Sequence, residues 1–140
     1  MASDTLLIWC IRVAGALSFL QLPAMILAPR MLRWSDELRT LSPLSRRIIG
    51  VIGLAIVLVV QGTGIVTLIG AQEIARGTPL GSSFAALMAT FWGYRALMQR
   101  AYAPLWPPGT LGWISHVGLS CVFWTQACLF AAAPASALLR

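Results

Sequence analysis

Lysine is absent from this 140-residue chain, and Asp and Glu together number four. There is one histidine, and there are three cysteines. Asp4, Asp36, Glu37 and Glu73 are scattered, and none lies inside a long apolar stretch. Acid–base catalysis and metal binding need several such groups close together. No nucleophile–base pair, carboxylate pair, metal site or cofactor motif is legible, so an enzyme acting alone is not expected. Proton-coupled carriers built around a membrane carboxylate are disfavoured for the same reason. Cys10, Cys121 and Cys128 form no CxxC pair. Each lies in an apolar segment, where a free thiol behaves as a small apolar side chain. Depth alone would permit a Cys10–Cys128 bridge.

What the chain has in abundance is apolar sequence. Hydrophobic residues make up 59% and charged residues 10%, against about 45–50% and about 25% in soluble domains. The apolar residues gather in four stretches, 6–28, 48–69, 82–98 and 111–133. A helix of about 20 residues crosses a hydrocarbon core about 30 Å thick. Four such stretches leave only short connections, with no room for a soluble domain. The expected fold is all-α: one transmembrane domain over 1–140, an integral membrane four-helix bundle. Segment 1 does not resemble a cleaved signal peptide, because residues 1–5 hold Asp4 and no basic residue.

The net charge is +6, carried by ten arginines. Their distribution speaks for topology and against nucleic acid. Arg30, Arg33, Arg39, Arg46 and Arg47 lie between segments 1 and 2, and Arg95 and Arg100 end segment 3. Only Arg76 and Arg140 fall on the opposite side. The positive-inside rule then places both termini on the non-cytoplasmic side of a bacterial inner membrane.

The connections carry their own signals. Pro29 is expected to end helix 1. Ser35, followed by Asp36 and Glu37, reads as a helix start. Apolar residues from Met31 to Leu41 then suit an interfacial helix over about 34–41; an irregular loop holding lipid phosphates is the alternative. The stretch 102–113 holds Pro104, Pro107, Pro108 and Gly109 and is a turn. Tyr102, Trp106 and Trp113 suit the aromatic belt. Glycines 50, 53, 62 and 64, and the ladder Ala85-x-x-x-Ala89-x-x-x-Gly93, suit close helix packing or self-association.

Polar residues inside spans are functional candidates by default. Here they are Arg12, Gln21, Gln61, Arg95, Gln99, His116 and Gln126. Trp92, Arg95 and Gln99 share a helix face by i, i+3/i+4 spacing. His116 falls at similar depth in segment 4. Two readings stay open for Arg95, Gln99 and His116: a site for an anionic head group, a quinone carbonyl or a proton, or an arginine snorkelling to phosphates beside a histidine bonded to a carbonyl. Arg12 lies about 9 Å inside segment 1, and Glu73 just past the outer end of segment 2. An Arg12–Glu73 ion pair is expected. Gly112, one turn before His116, is a spacing that antenna helices use to admit a planar pigment ring, but one such pattern and one histidine carry no cofactor assignment, and none is expected.

The stretch FWGYRALMQR, with LSPLSRR before segment 2 and a histidine early in segment 4, resembles a group of small four-helix bacterial membrane proteins. In that group an F-W-x-x-R-x-x-x-Q stretch ends helix 3. The resemblance singles out Phe91, Trp92, Arg95, Gln99 and His116 but implies no activity. The group tends to have one basic residue and a glutamine before helix 2, where this chain has Arg46 and Arg47. The leading expectation is a non-enzymatic accessory or scaffold protein, packing on itself or on another membrane protein among membrane lipids. The alternative is binding of a lipid, quinone or similar apolar ligand near the cytoplasmic ends of helices 3 and 4.

Overall fold

The computed structural model describes the backbone of residues 2–138 and the side chains of residues 5–135. Arg140 and the side chain of Asp4, both used above, lie outside these. The described residues form seven α-helices, with no strand among them: α1 (Ala2–Leu20), α2 (Leu22–Met31), α3 (Trp34–Arg39), α4 (Pro43–Ile69), α5 (Ala71–Ala75), α6 (Pro79–Ala101) and α7 (Thr110–Leu138). A short 3-10 turn, Ala103–Leu105, precedes α7.

Among the described residues, three stretches are long and apolar enough to cross a membrane: Thr5–Met31, Pro43–Ile69 and Thr110–Ala135. The third expected span, α6, has the length but not the apolarity. Arg95, Gln99 and Arg100, with its Gly, Ser and Thr residues, dilute it.

Segment 1 is not one uninterrupted helix. It breaks at Gln21 and resumes with Pro23 in the first turn of α2, where proline costs no hydrogen bond. Pro29 does not end the helix; it sits inside α2. The chain leaves that helix two residues later, through Arg33 at φ 52. A short helix forms where the interfacial one is expected, but Arg33 and not Ser35 is its N-cap. Its other end is held from the next helix. Arg46 of α4 donates from Nε to Leu38 O (3.1 Å) and from Nη2 to Arg39 O (3.2 Å) and Leu41 O (3.4 Å). One guanidinium thus satisfies carbonyls that a helix end leaves bare. Ser42 caps α4, its Oγ accepting from Ser45 N.

The connection between α4 and α6, expected to be a loop, contains α5. Ala71, Ile74 and Ala75 turn inward and join the core. That core is assembled from Ile11 and Ala14 of α1, Val60 of α4, Ala85, Met88, Trp92 and Ala96 of α6, and Phe123, Phe130 and Ala133 of α7. The broadest pairing is α6 on α7, and α1 packs on α4, α5 and α7. The buried face of α6 runs Gly81, Ala85, Met88, Trp92, Ala96, Gln99, a spacing of three and four. It shares only Ala85 with the small-residue ladder read from sequence as buried; around Gly93 there is open space. On α4, Gly64 alone of its glycines meets a neighbour. A Cβ there would stand 2.9 Å from Ser18 Cβ and 3.2 Å from Gly15 O. Gly50, Gly53 and Gly62 have nothing nearby.

Candidate functional site

Three polar features occupy the interior and its edges. The first joins α1, α4 and α7. Ser18 lies midway along Thr5–Met31, and Gln126 is fully buried opposite it. Gln126 Nε2 donates to Ala14 O (3.0 Å) and Ser18 Oγ (3.1 Å), while its Oε1 accepts from Gln21 Nε2 (2.5 Å). Gln21 Nε2 also donates to Leu17 O (3.3 Å). Gln61 Nε2 donates to Ser18 O (3.0 Å). The backbone fixes the direction of every amide. A carbonyl can only accept, so Ala14 O orients Gln126 and Leu17 O orients Gln21. Gln21 Oε1 is then left without a partner among the described residues. Gln61 Oε1 is buried and also has none. Sequence reasoning found Gln21, Gln61 and Gln126 one by one but did not join them.

The second feature is an inner cavity of about 80 Å³ beside this network. Gln21, Ala24, Met25 and Ala28 form one wall, Ile56 and Val60 of α4 a second, and Phe91, Trp92, Arg95, Leu119 and Phe123 the rest. Trp92 stacks on Phe123 at 5.7 Å and 19°, and Phe91 meets Trp92 edge-on at 4.9 Å. Arg95 Cζ lies 5.2 Å from the centre of the Phe123 ring, within cation–π range.

The third is an open groove of about 470 Å³ on the outer side of α6 and α7, lined by Ala96, Arg100, His116, Val117, Ser120, Cys121, Trp124 and Thr125. Gln99, buried, places Nε2 3.4 Å from His116 Nδ1. In the tautomer with its proton on Nε2, the ring accepts from this amide at Nδ1. Ser120 Oγ donates to His116 O at 2.8 Å.

The residues grouped by sequence are therefore divided. Gln99 and His116 come together at the groove, whereas Arg95 and Trp92 belong to the inner cavity. Arg95 turns onto α7 through Phe123, one face away from His116.

The expected Arg12–Glu73 ion pair is not the one formed. Glu73 Oε1 accepts from Arg76 Nη1 at 2.9 Å, and Arg12 lies 5.2 Å over the Trp9 ring. Each charge finds a partner three residues away, which needs no reach across helices. The ion pairs found between described residues are both of this local kind, the other being Arg33–Asp36 at 3.6 Å. The space before His116 is already taken, since a Cβ on Gly112 would collide with Pro107 O. Gly112 serves the turn, not a pigment ring. All three cysteines are free, so the Cys10–Cys128 bridge is not made. No group of three or more potential metal ligands exists among the described residues. No family model, curated protein or solved structure matches this chain.

Proposed function

We propose that this chain is a four-helix membrane bundle with both termini on the non-cytoplasmic side of a bacterial inner membrane. In this reading α1–α2, α4, α6 and α7 are the spans, and α6 crosses inside the shelter of its neighbours. Its role is that of a small non-enzymatic accessory subunit, packing on a second copy or on another membrane protein. The observation that carries this role is α4. Its most apolar stretch is only 11% buried, and its bare glycines, Gly50 and Gly53, offer a helix backbone the closest approach. The arginine count supports the orientation, and the F-W-x-x-R-x-x-x-Q resemblance is consistent with a protein of this size and kind.

The test has two parts. A reporter active only in the periplasm, fused after Arg140, is expected to be active. Purified in mild detergent, the chain is expected to run as more than one copy or with a second membrane protein, and Gly53→Leu is expected to reduce that association. A cytoplasmic carboxyl terminus overturns the orientation, and a lone monomer unaffected by the substitution overturns the role.

A second reading rests on the groove under His116 and Arg100. A cation at a helix end above an apolar channel suits a phospholipid, its phosphate at Arg100 and one acyl chain along Val117, Cys121 and Trp124. Loss of co-purifying phospholipid in Arg100→Gln would support it.

A further inference from the structure

The inner cavity holds a cation that nothing in the chain neutralises. Arg95 is the one charged group on its wall. It makes no hydrogen bond or ion pair among the described residues, and its guanidinium lies against the Phe123 ring. Snorkelling does not account for it. Phe123 is stacked on Trp92, and Trp92 is nine residues, about 13 Å, before the end of α6. The guanidinium therefore points away from that end and into the bundle. Arg95 is half-buried, and on a wall that offers it no counter-charge an acidic oxygen group is its natural complement.

A second polar group lines the same cavity. Gln21 is 97% buried, with its Nε2 engaged by Leu17 and Gln126 and its Oε1 unpartnered. The cavity thus offers a cationic donor and a fixed acceptor, on walls that are otherwise apolar and aromatic. Its size narrows the choice. About 80 Å³ is roughly half the 150 Å³ that admits a benzene ring, too small for a quinone head. A carboxyl group on a thin chain fits. Ala24, Ala28, Ile56 and Val60 continue the wall between α2 and α4, where the two helices touch only sparsely.

We propose that this cavity binds the carboxyl head of a single-chain amphiphile, a long-chain fatty acid, entering from the lipid between α2 and α4. An ionised oxygen pairs with Arg95. In the protonated acid the hydroxyl donates to Gln21 Oε1. The tail lies along Ala28 and Ile56 and leaves into the bilayer. This inference rests on the chain lying in lipid, but not on its having a protein partner.

The test uses the full chain in phosphatidylcholine nanodiscs, with oleate as the probe. Incorporation into the discs is scored first, so that failure of the membrane reading is seen separately. Native mass spectrometry then counts retained oleate, and thermal unfolding reports its stabilising effect. The parent is expected to hold one oleate per chain and to bind oleyl alcohol, which lacks the acid, at least tenfold more weakly. Arg95→Gln should lower oleate affinity at least tenfold and leave oleyl alcohol unchanged. Arg95→Lys should fall between, because the planar fork is lost. Ala24→Phe, which fills the cavity and keeps the cation, should also abolish retention. Equal binding of acid and alcohol, or full oleate retention by Arg95→Gln, would overturn the site. Stronger competition by dioleoylphosphatidylglycerol than by oleate would overturn the carboxyl assignment, since its phosphate head exceeds the cavity.

Discussion

Helices α4 and α6 invert the usual relation between hydropathy and burial. Apolar residues fill α4, yet much of that surface is uncovered: Val51, Leu54, Leu58 and Val59 are all exposed. The less apolar α6 supplies Trp92, Ala96 and Gln99 to the interior. In water the apolar helix would be the buried one. In lipid there is no such drive, and small or polar residues that pack and hydrogen-bond gather between helices instead. High hydropathy here marks what faces outward, and its dilution marks the centre.

The sharpest way to break this comparison is to empty the centre. Trp92 is 1% exposed and stacked on Phe123. Trp92→Ala is expected to cost about 3–5 kcal/mol in reversible unfolding in detergent. A loss below about 1 kcal/mol would deny α6 its central role. The next largest effect belongs to the single close crossing of α4. Gly64→Ile must push Ser18 and Gly15 away, at a cost of about 1–3 kcal/mol. On the same helix, Gly53→Ile meets open space and should change the stability of the isolated chain by less than about 0.5 kcal/mol. If the two glycine variants behave alike, the division of α4 into a packed end and a bare end is wrong. Gln126→Leu sharpens the comparison at lower amplitude. It removes three hydrogen bonds, and membrane hydrogen bonds average about 0.6 kcal/mol each. A loss of about 2 kcal/mol is expected, with no loss of membrane insertion. Gain of stability would mean that the amide network is a burden the fold carries for another reason.

Much of this fold could be read from composition alone. Runs such as IIGVIGLAIVLVV set α4, and Pro43 and Pro79 opened their helices where proline is tolerated. Rotation about the helix axes was not legible. A helix apolar on every side has no polar stripe to say which face turns inward. So Arg95 and His116, close in depth, could not be assigned to opposite sides of the α6–α7 seam. The partners of Gln21 and Gln126, 105 residues apart, carry no shared local pattern. Arg46 read as a topology charge, because its three acceptors are backbone carbonyls and leave no trace in side-chain sequence.

That arginine also decides which parts of the molecule travel together. By sequence, α3 follows α2, and a disturbance at the membrane surface would be expected to reach α1 first. Between α2 and α3, however, stands the left-handed turn at Arg33, whereas Arg46 grips the far end of α3 from α4. In mechanical terms α3 is a strut between α2, on which it packs, and α4, whose Arg46 holds its far end. Tied to both neighbours, α3 braces the pair α2 and α4 at the point where those two helices touch each other only sparsely.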